Sequence, residues 1–183
     1  MKKYLVASIL IVGFAGSAYA VNGGLPFTSV AAAQDHPAMP PGMTHEQHIA
    51  LMKQHGQMAM GFDQDKTTHH FKLIANGGAI EVTAMDPADK VTRDKIQMHL
   101  QEIAAAFGRG DFGKPLMTHG EVPPGALGMQ RHKDEITYAY QRLEQGGVVR
   151  IVTANADALD AIHDFLQYQI REHATGDSMT VQK

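Results

Sequence analysis

The stretch Thr67-Thr68-His69-His70-Phe71-Lys72-Leu73-Ile74-Ala75-Asn76-Gly77-Gly78-Ala79-Ile80-Glu81-Val82-Thr83-Ala84 decides the fold. On either side of Asn76-Gly77, Phe71, Leu73, Ile80 and Val82 alternate with other residues, the period-2 pattern of half-buried strands. Asn-Gly favours a two-residue type I′ hairpin turn. Closing the turn there predicts Phe71 opposite Val82 and Leu73 opposite Ile80 on the buried face, with Lys72 opposite Glu81 on the polar face. His69 then shares the face of Phe71, and His70 points the other way.

Towards the C-terminus, Asp86-Pro87 supplies an N-cap and a first-turn proline. The spacing predicts a helix to about Phe107 with Ile96, Leu100, Ile103 and Phe107 as its apolar stripe, Met98 and His99 at its margins, and Gly108 and Gly110 as its stop. A Gly/Pro-punctuated connection covers residues 108–133. The programme then repeats: Ile136, Tyr138 and Tyr140 alternate into a turn at Gln145-Gly146-Gly147, and Val149 and Ile151 return. Asn155 caps a helix whose stripe is Leu159, Ile162, Leu166 and Ile170. Two ββα pseudo-repeats, about 67–111 and 135–177, follow. Because one hairpin is marginal alone, the pair is expected to form an α+β two-layer sandwich, a four-stranded antiparallel sheet covered by two helices, over residues 61–178, with a tail at 179–183. The open sheet face is available to a second copy of the chain, as in a homodimer.

Towards the N-terminus, Lys2-Lys3, the apolar run Tyr4–Ala15 and Ala18-Tyr19-Ala20 read as a secretory signal peptide over residues 1–20. The run is shorter than the roughly 20 residues of a spanning helix, and no later segment approaches that length. The mature chain is therefore expected to be exported, and periplasmic in a Gram-negative source. Its net charge, −3 before cleavage, becomes more acidic with the loss of two lysines. Such a chain lacks the basic footprint of nucleic-acid binding. With no cysteine, it has no disulfide framework, no thiolate zinc site and no C-x-x-C-H haem attachment.

Residues 21–60 are the compositional anomaly. Six of eleven histidines and five of eleven methionines lie between His36 and His70. Thioether and imidazole together suit Cu(I) and, by chemical likeness, Ag(I), whereas magnesium and calcium demand oxygen ligands. After a flexible Gly/Ala/Pro-rich leader, Thr44-His45-Glu46-Gln47 fits a capping box opening a short helix to about His55. His45, His48, Met52 and His55 then share one stripe. One ion is expected between His48 and Met52, and another among His55, Met58 and Met60 after a break at Gly56. The alternative is packing, with Ile49, Leu51 and Met52 as a docking face.

Within the domain, Met117-Thr118-His119 lies in the long connection. If that connection folds over the sheet, Met117 and His119 approach His69 or His70 and make a second, ordered metal site. His163 is expected to be hydrogen-bonded at a core edge, and His173 to sit as a cation favoured by a helix C-terminus.

The blocks Met60-Gly61-Phe62-Asp63-Gln64, Thr67-Thr68-His69-His70-Phe71, Gly77-Gly78, Pro123-Pro124-Gly125, Gly146-Gly147-Val148-Val149-Arg150-Ile151 and His173-Ala174-Thr175-Gly176-Asp177 occur in order over about residues 60–178. On these blocks the chain resembles a family of small exported bacterial proteins of uncertain function, often labelled aspartate carbamoyltransferase. The label does not suit the chain, which is about half the length of those enzymes and lacks their Ser-Thr-Arg-Thr and His-Pro-x-Gln motifs. The resemblance implies no catalytic residues; it implies that Met/His-rich leaders ahead of this domain are a familiar combination.

The function expected from the sequence is exported Cu(I)/Ag(I) binding in buffering, delivery or resistance. The alternative is a module that binds another exported protein or a small ligand, with the Met/His segment incidental. A weaker alternative, a small hydrolase or lyase using His69 or His70, lacks a serine elbow, a phosphate loop or an H-E-x-x-H helix.

Overall fold

A computed structural model describes residues 42–182. The expected export signal and the leader through residue 41 lie outside the described residues, as do the side chains of His45 and Ile49.

The element order is α1 (His45–Met60), β1 (Thr67–Ile74), β2 (Gly77–Ala84), α2 (Lys90–Gly108), α3 (Gly113–His119), α4 (Ala126–Arg131), β3 (Ile136–Leu143), β4 (Gly146–Thr153) and α5 (Ala156–Glu172). The two hairpins join through their second strands into one antiparallel sheet in the order β1-β2-β4-β3. Helices α2 and α5 cover one face, giving the α+β architecture. Each helix crosses to the other repeat: α2 lies over β3 and β4, while α5 lies over β1 and β2. Each ββα unit therefore covers chiefly the other's hairpin, and the core is shared. Ile96, Leu100 and Phe107 of α2, Ile162, Phe165 and Leu166 of α5, and Leu73, Val149 and Ile151 of the sheet are almost fully enclosed.

The hairpin register differs from the expected one by two residues: Phe71 pairs with Ile80, Leu73 with Gly78 and His69 with Val82. Side-chain direction has period two, so the face assignment survives the slip. Lys72 still reaches Glu81, now diagonally, at 2.8 Å. The reason lies at Gly77, which opens β2 rather than closing the turn. A Cβ there would run into the Ile151 carbonyl oxygen, and one at Gly146, its counterpart opening β4, into that of Val82. The glycines serve the close approach of the two central strands, leaving Ala75-Asn76 and Glu144-Gln145 as the loops. The carbonyls of Asn76 and Gln145 accept from Thr153 N–H and Ala84 N–H respectively, so each loop is pinned by the opposite repeat.

The start of α2 is also displaced. Asp86 forms a turn with Ala88, and Asp89 caps the helix through Thr92 N–H at 2.9 Å and its hydroxyl at 2.7 Å. Asn155 caps α5 as expected, accepting from Ala158 N–H at 3.0 Å. The connection 108–133 is not irregular but carries α3 and α4, with α3 against α1 and α4 against α5.

Two further tertiary ties bear on the site. Asp177 fastens the segment after α5 to β1, accepting from Phe71 N–H (2.9 Å), Thr175 Oγ1 (2.7 Å) and His70 Nδ1 (2.9 Å). Against the raising effect of partial burial, these bonds hold its carboxyl below the usual range. Gln182 N–H then donates to Leu73 O at 2.8 Å, blunting the edge of β1. No helix among the described residues is long and apolar enough to cross a membrane.

Candidate functional site

Four histidines far apart in sequence meet where β1, α2, α3 and the end of α5 converge. His69 leaves β1 on the helix-covered face, His99 lies on the inner side of α2, His119 ends α3, and His173 follows the last turn of α5. Their rings form a chain: His69 and His173 stand 5.5 Å apart between centroids and nearly parallel, and His173 and His119 are 5.3 Å apart and edge-to-face. Phe62 packs on both His69 and His99, and Phe71 on His173. The four histidines and Phe71 line a cavity of about 70 Å³ with Met60, Lys114, Thr118 and Gln169. At ~30 Å³ per water molecule, it holds one ion with a water, or a ligand of a few atoms.

The histidines in this cavity are neutral. Burial pushes His69 down to about 4, with His70 adding to the effect. It pushes His99 to about 4 as well, helped by Lys114 and His69 and opposed by Glu102. His119 is lowered by burial against the Gln169 bond and the Glu172 and Glu121 carboxylates. His173 is held well below its ordinary value by burial and by His69 and His119. It is thus no helix-terminal cation: desolvation beside two other imidazoles outweighs the dipole.

The hydrogen bonds also set which nitrogen carries the proton. His119 Nε2 faces Gln169 Oε1, an acceptor, at 3.1 Å, so it donates and its lone pair lies on Nδ1. The Thr67 hydroxyl gives its proton to Gln64 O and can accept a long 3.5 Å contact from His69 Nδ1, leaving the lone pair on Nε2. Those two atoms, His69 Nε2 and His119 Nδ1, are buried without a partner, as are His99 Nδ1 and Gln169 Nε2. Buried polar atoms are normally satisfied, so a cluster of orphans around one cavity calls for a ligand.

The expected tail sites are not brought together. Gly56 does not break α1; the helix continues to Met60 and stops at Gly61, which takes the left-handed conformation. The capping box of Thr44 and Gln47 is formed. Along the stripe, Met52 is buried and His48 Nε2 bonds Glu172 Oε2 at 3.2 Å, so packing and a hydrogen bond occupy the pair expected to share an ion. Leu51, expected to dock, is exposed, whereas Ala59 is buried. His55 is half-buried, Met58 is 65% exposed and Met60 faces the cavity, because Met58 and Met60 are two residues apart on a helix and point in opposed directions.

In the second expected site, His119 and His69 line the same cavity with His173 between them. Met117 is half exposed and His70 turns to Asp177, so neither joins them. His163 donates to Ile74 O and Gly77 O, both at 3.0 Å, at the expected core edge. Reading the chain alone missed His99 and His173 as cavity residues. The signal was present, since His99 lies three residues after Ile96, and His173 three after Ile170, each on an apolar stripe.

Among the described residues, no three His, Asp or Glu side chains are grouped to hold a metal ion. Comparison of the chain with models of known protein families, with curated proteins and with solved structures finds no match.

Proposed function

We propose that the protein is an exported carrier of a soft monovalent ion, Cu(I) or Ag(I), bound in the imidazole cavity by His69 and His119 with His173 between them and the Met60 thioether on the same wall. The observation that carries the reading is the pair of buried, unpartnered lone pairs, His69 Nε2 and His119 Nδ1, on neutral rings around one cavity. A metal ligand must be deprotonated, and burial favours the neutral form of both rings, lowering His119 below its ordinary value and His69 to about 4. Thioether with imidazole selects soft ions. Two or three neutral donors suit a low-coordinate monovalent ion better than zinc, whose structural sites use four ligands. The cost of bringing an ion into apolar surroundings rises steeply with its charge. Glu172, the carboxylate beside His119, is already engaged with His48, and Lys114 is offset by Glu102 at 3.0 Å. The exposed methionines Met58, Met85, Met98 and Met117 and the Met/His-rich leader offer weaker, faster-exchanging thioethers, as buffering or delivery requires.

Competition of the mature chain against a chromogenic Cu(I) chelator tests this reading. One tightly held equivalent per chain, not displaced by equimolar Zn(II), is expected. A chain that yields all its copper to the chelator, or that prefers zinc, contradicts it.

A second reading has its own observation. Lys114 Nζ and the unpartnered Gln169 amide both bring donors to the lining, which suits a small organic ligand bearing an acceptor. Failure of the copper experiment together with recovery of a small molecule from natively purified protein would favour it.

A further inference from the structure

The cavity wall is not all one body. Met60 is the last residue of α1, and α1 rests mainly on α3, the helix that presents Pro115, Thr118 and His119 to the cavity. The polar fastenings of α1 are few: His48 to Glu172 at 3.2 Å, Lys53 Nζ to Asp65 Oδ1 at 2.6 Å and Lys114 Nζ to Ala59 O at 3.4 Å, beside the burial of Met52 and Ala59. A 16-residue helix with Gly56 in its interior is marginal by itself, so its order depends on docking. Two of the three polar fastenings, those at Glu172 and Lys114, end on groups next to the cavity, since Glu172 neighbours His119 and Lys114 lies in the lining.

Resting on the metal reading above, we infer that α1 is a clasp whose docking is coupled to the ion: Met60 ligates the metal held by the imidazoles, and the loaded cavity fastens α1 to the body. By linkage the coupling is reciprocal, so docking of α1 raises affinity by the same factor as the ion favours docking. Undocking removes one ligand and opens the cavity, leaving the ion on the neutral imidazoles alone, a route to handing it on.

Hydrogen exchange of the α1 amides in the full mature chain, with and without saturating silver nitrate, tests the clasp, with silver stoichiometry measured in parallel. In the wild type and in Met58→Leu, silver is expected to slow exchange across α1 by about tenfold or more, within the usual range of coupling between sites. In Met60→Leu, silver still binds at the imidazoles and the slowing across α1 disappears. Silver that binds without slowing exchange in the wild type, or that slows it equally in Met60→Leu, overturns the clasp while leaving the metal site standing. Absence of silver binding overturns both.

Discussion

Replacing His119 with leucine is expected to weaken silver or copper binding by about 100-fold or more while leaving the chain folded. His119 supplies one of the two buried lone pairs whose tautomer is fixed by a partner, so its loss removes a ligand rather than a contact. Gln169→Leu, which frees the imidazole to choose the wrong tautomer, is expected to cost about 10–100-fold, the range for removing the partner that orients a ligand. Two effects on stability oppose one another: His119 Nδ1 has no partner, so removing the ring relieves an unmet desolvation cost, whereas the buried Gln169 Oε1 loses its donor. His163→Leu is the control, since His163 donates to Ile74 O and Gly77 O. That change leaves two buried carbonyls short of a donor and is expected to lower stability by about 1–3 kcal/mol without altering metal affinity. Isothermal metal titration and urea unfolding of the three variants separate these outcomes; equal metal affinity in His119→Leu and the wild type would refute the assignment.

The second large effect is acid lability. In the folded chain His69 and His99 are held down to about 4, whereas in the unfolded chain they protonate near 6.5. Below 6.5 the unfolded state therefore binds protons that the folded state refuses, and unfolding becomes progressively more favourable as pH falls towards 4. Above 6.5 both states are neutral and the contribution is constant. At ~1.4 kcal/mol per pH unit for each group, the two histidines each remove of order 3 kcal/mol across that window. His119 and His173, also lowered, act in the same direction. The sum is comparable with the whole stability of a small domain, so apo protein is expected to unfold between about pH 5 and pH 4. Urea midpoints measured from pH 7 to pH 4 should fall steeply, and His99→Leu should flatten the slope by about one proton. Stability that stays level from pH 7 to pH 4.5 would show that the rings are not buried neutral.

Much of the fold is legible in the chain because it rests on period. Alternation at Phe71, Leu73, Ile80 and Val82, and the stripes Ile96–Phe107 and Ile162–Ile170, assign faces correctly. Register is a different matter. Gly77 and Gly146 look like turn residues, but their role is to let β2 and β4 approach, a tertiary demand that no local pattern reveals. The same limit explains the crossing of α2 over β3 and β4, since each stripe fits either hairpin.

For the cavity, some of the residues were legible in the sequence and their meeting place was not. Density drew attention to the tail, where histidine and methionine crowd together in sequence. The structure instead gathers His69, His99, His119 and His173 from four elements separated by up to a hundred residues. Only Met60, His69 and His119 belong to both sets. His99 was read as marginal to its stripe and His173 as a helix-terminal cation because periodicity names the face of a residue and not its neighbours. In α1, Gly56 suggested a break because glycine is a poor helix former; packed against the Gln64 side chain and Met60, it is a contact point.

The most direct test is a long-range ¹H–¹⁵N spectrum of the histidine rings of the chain lacking residues 1–20 at one equivalent of Ag(I). Large shifts at His69 Nε2 and His119 Nδ1, with His132 and His163 unmoved, are what the account predicts. Shifts confined to leader histidines such as His36 and His45, with every ring of the cavity unchanged, would contradict it.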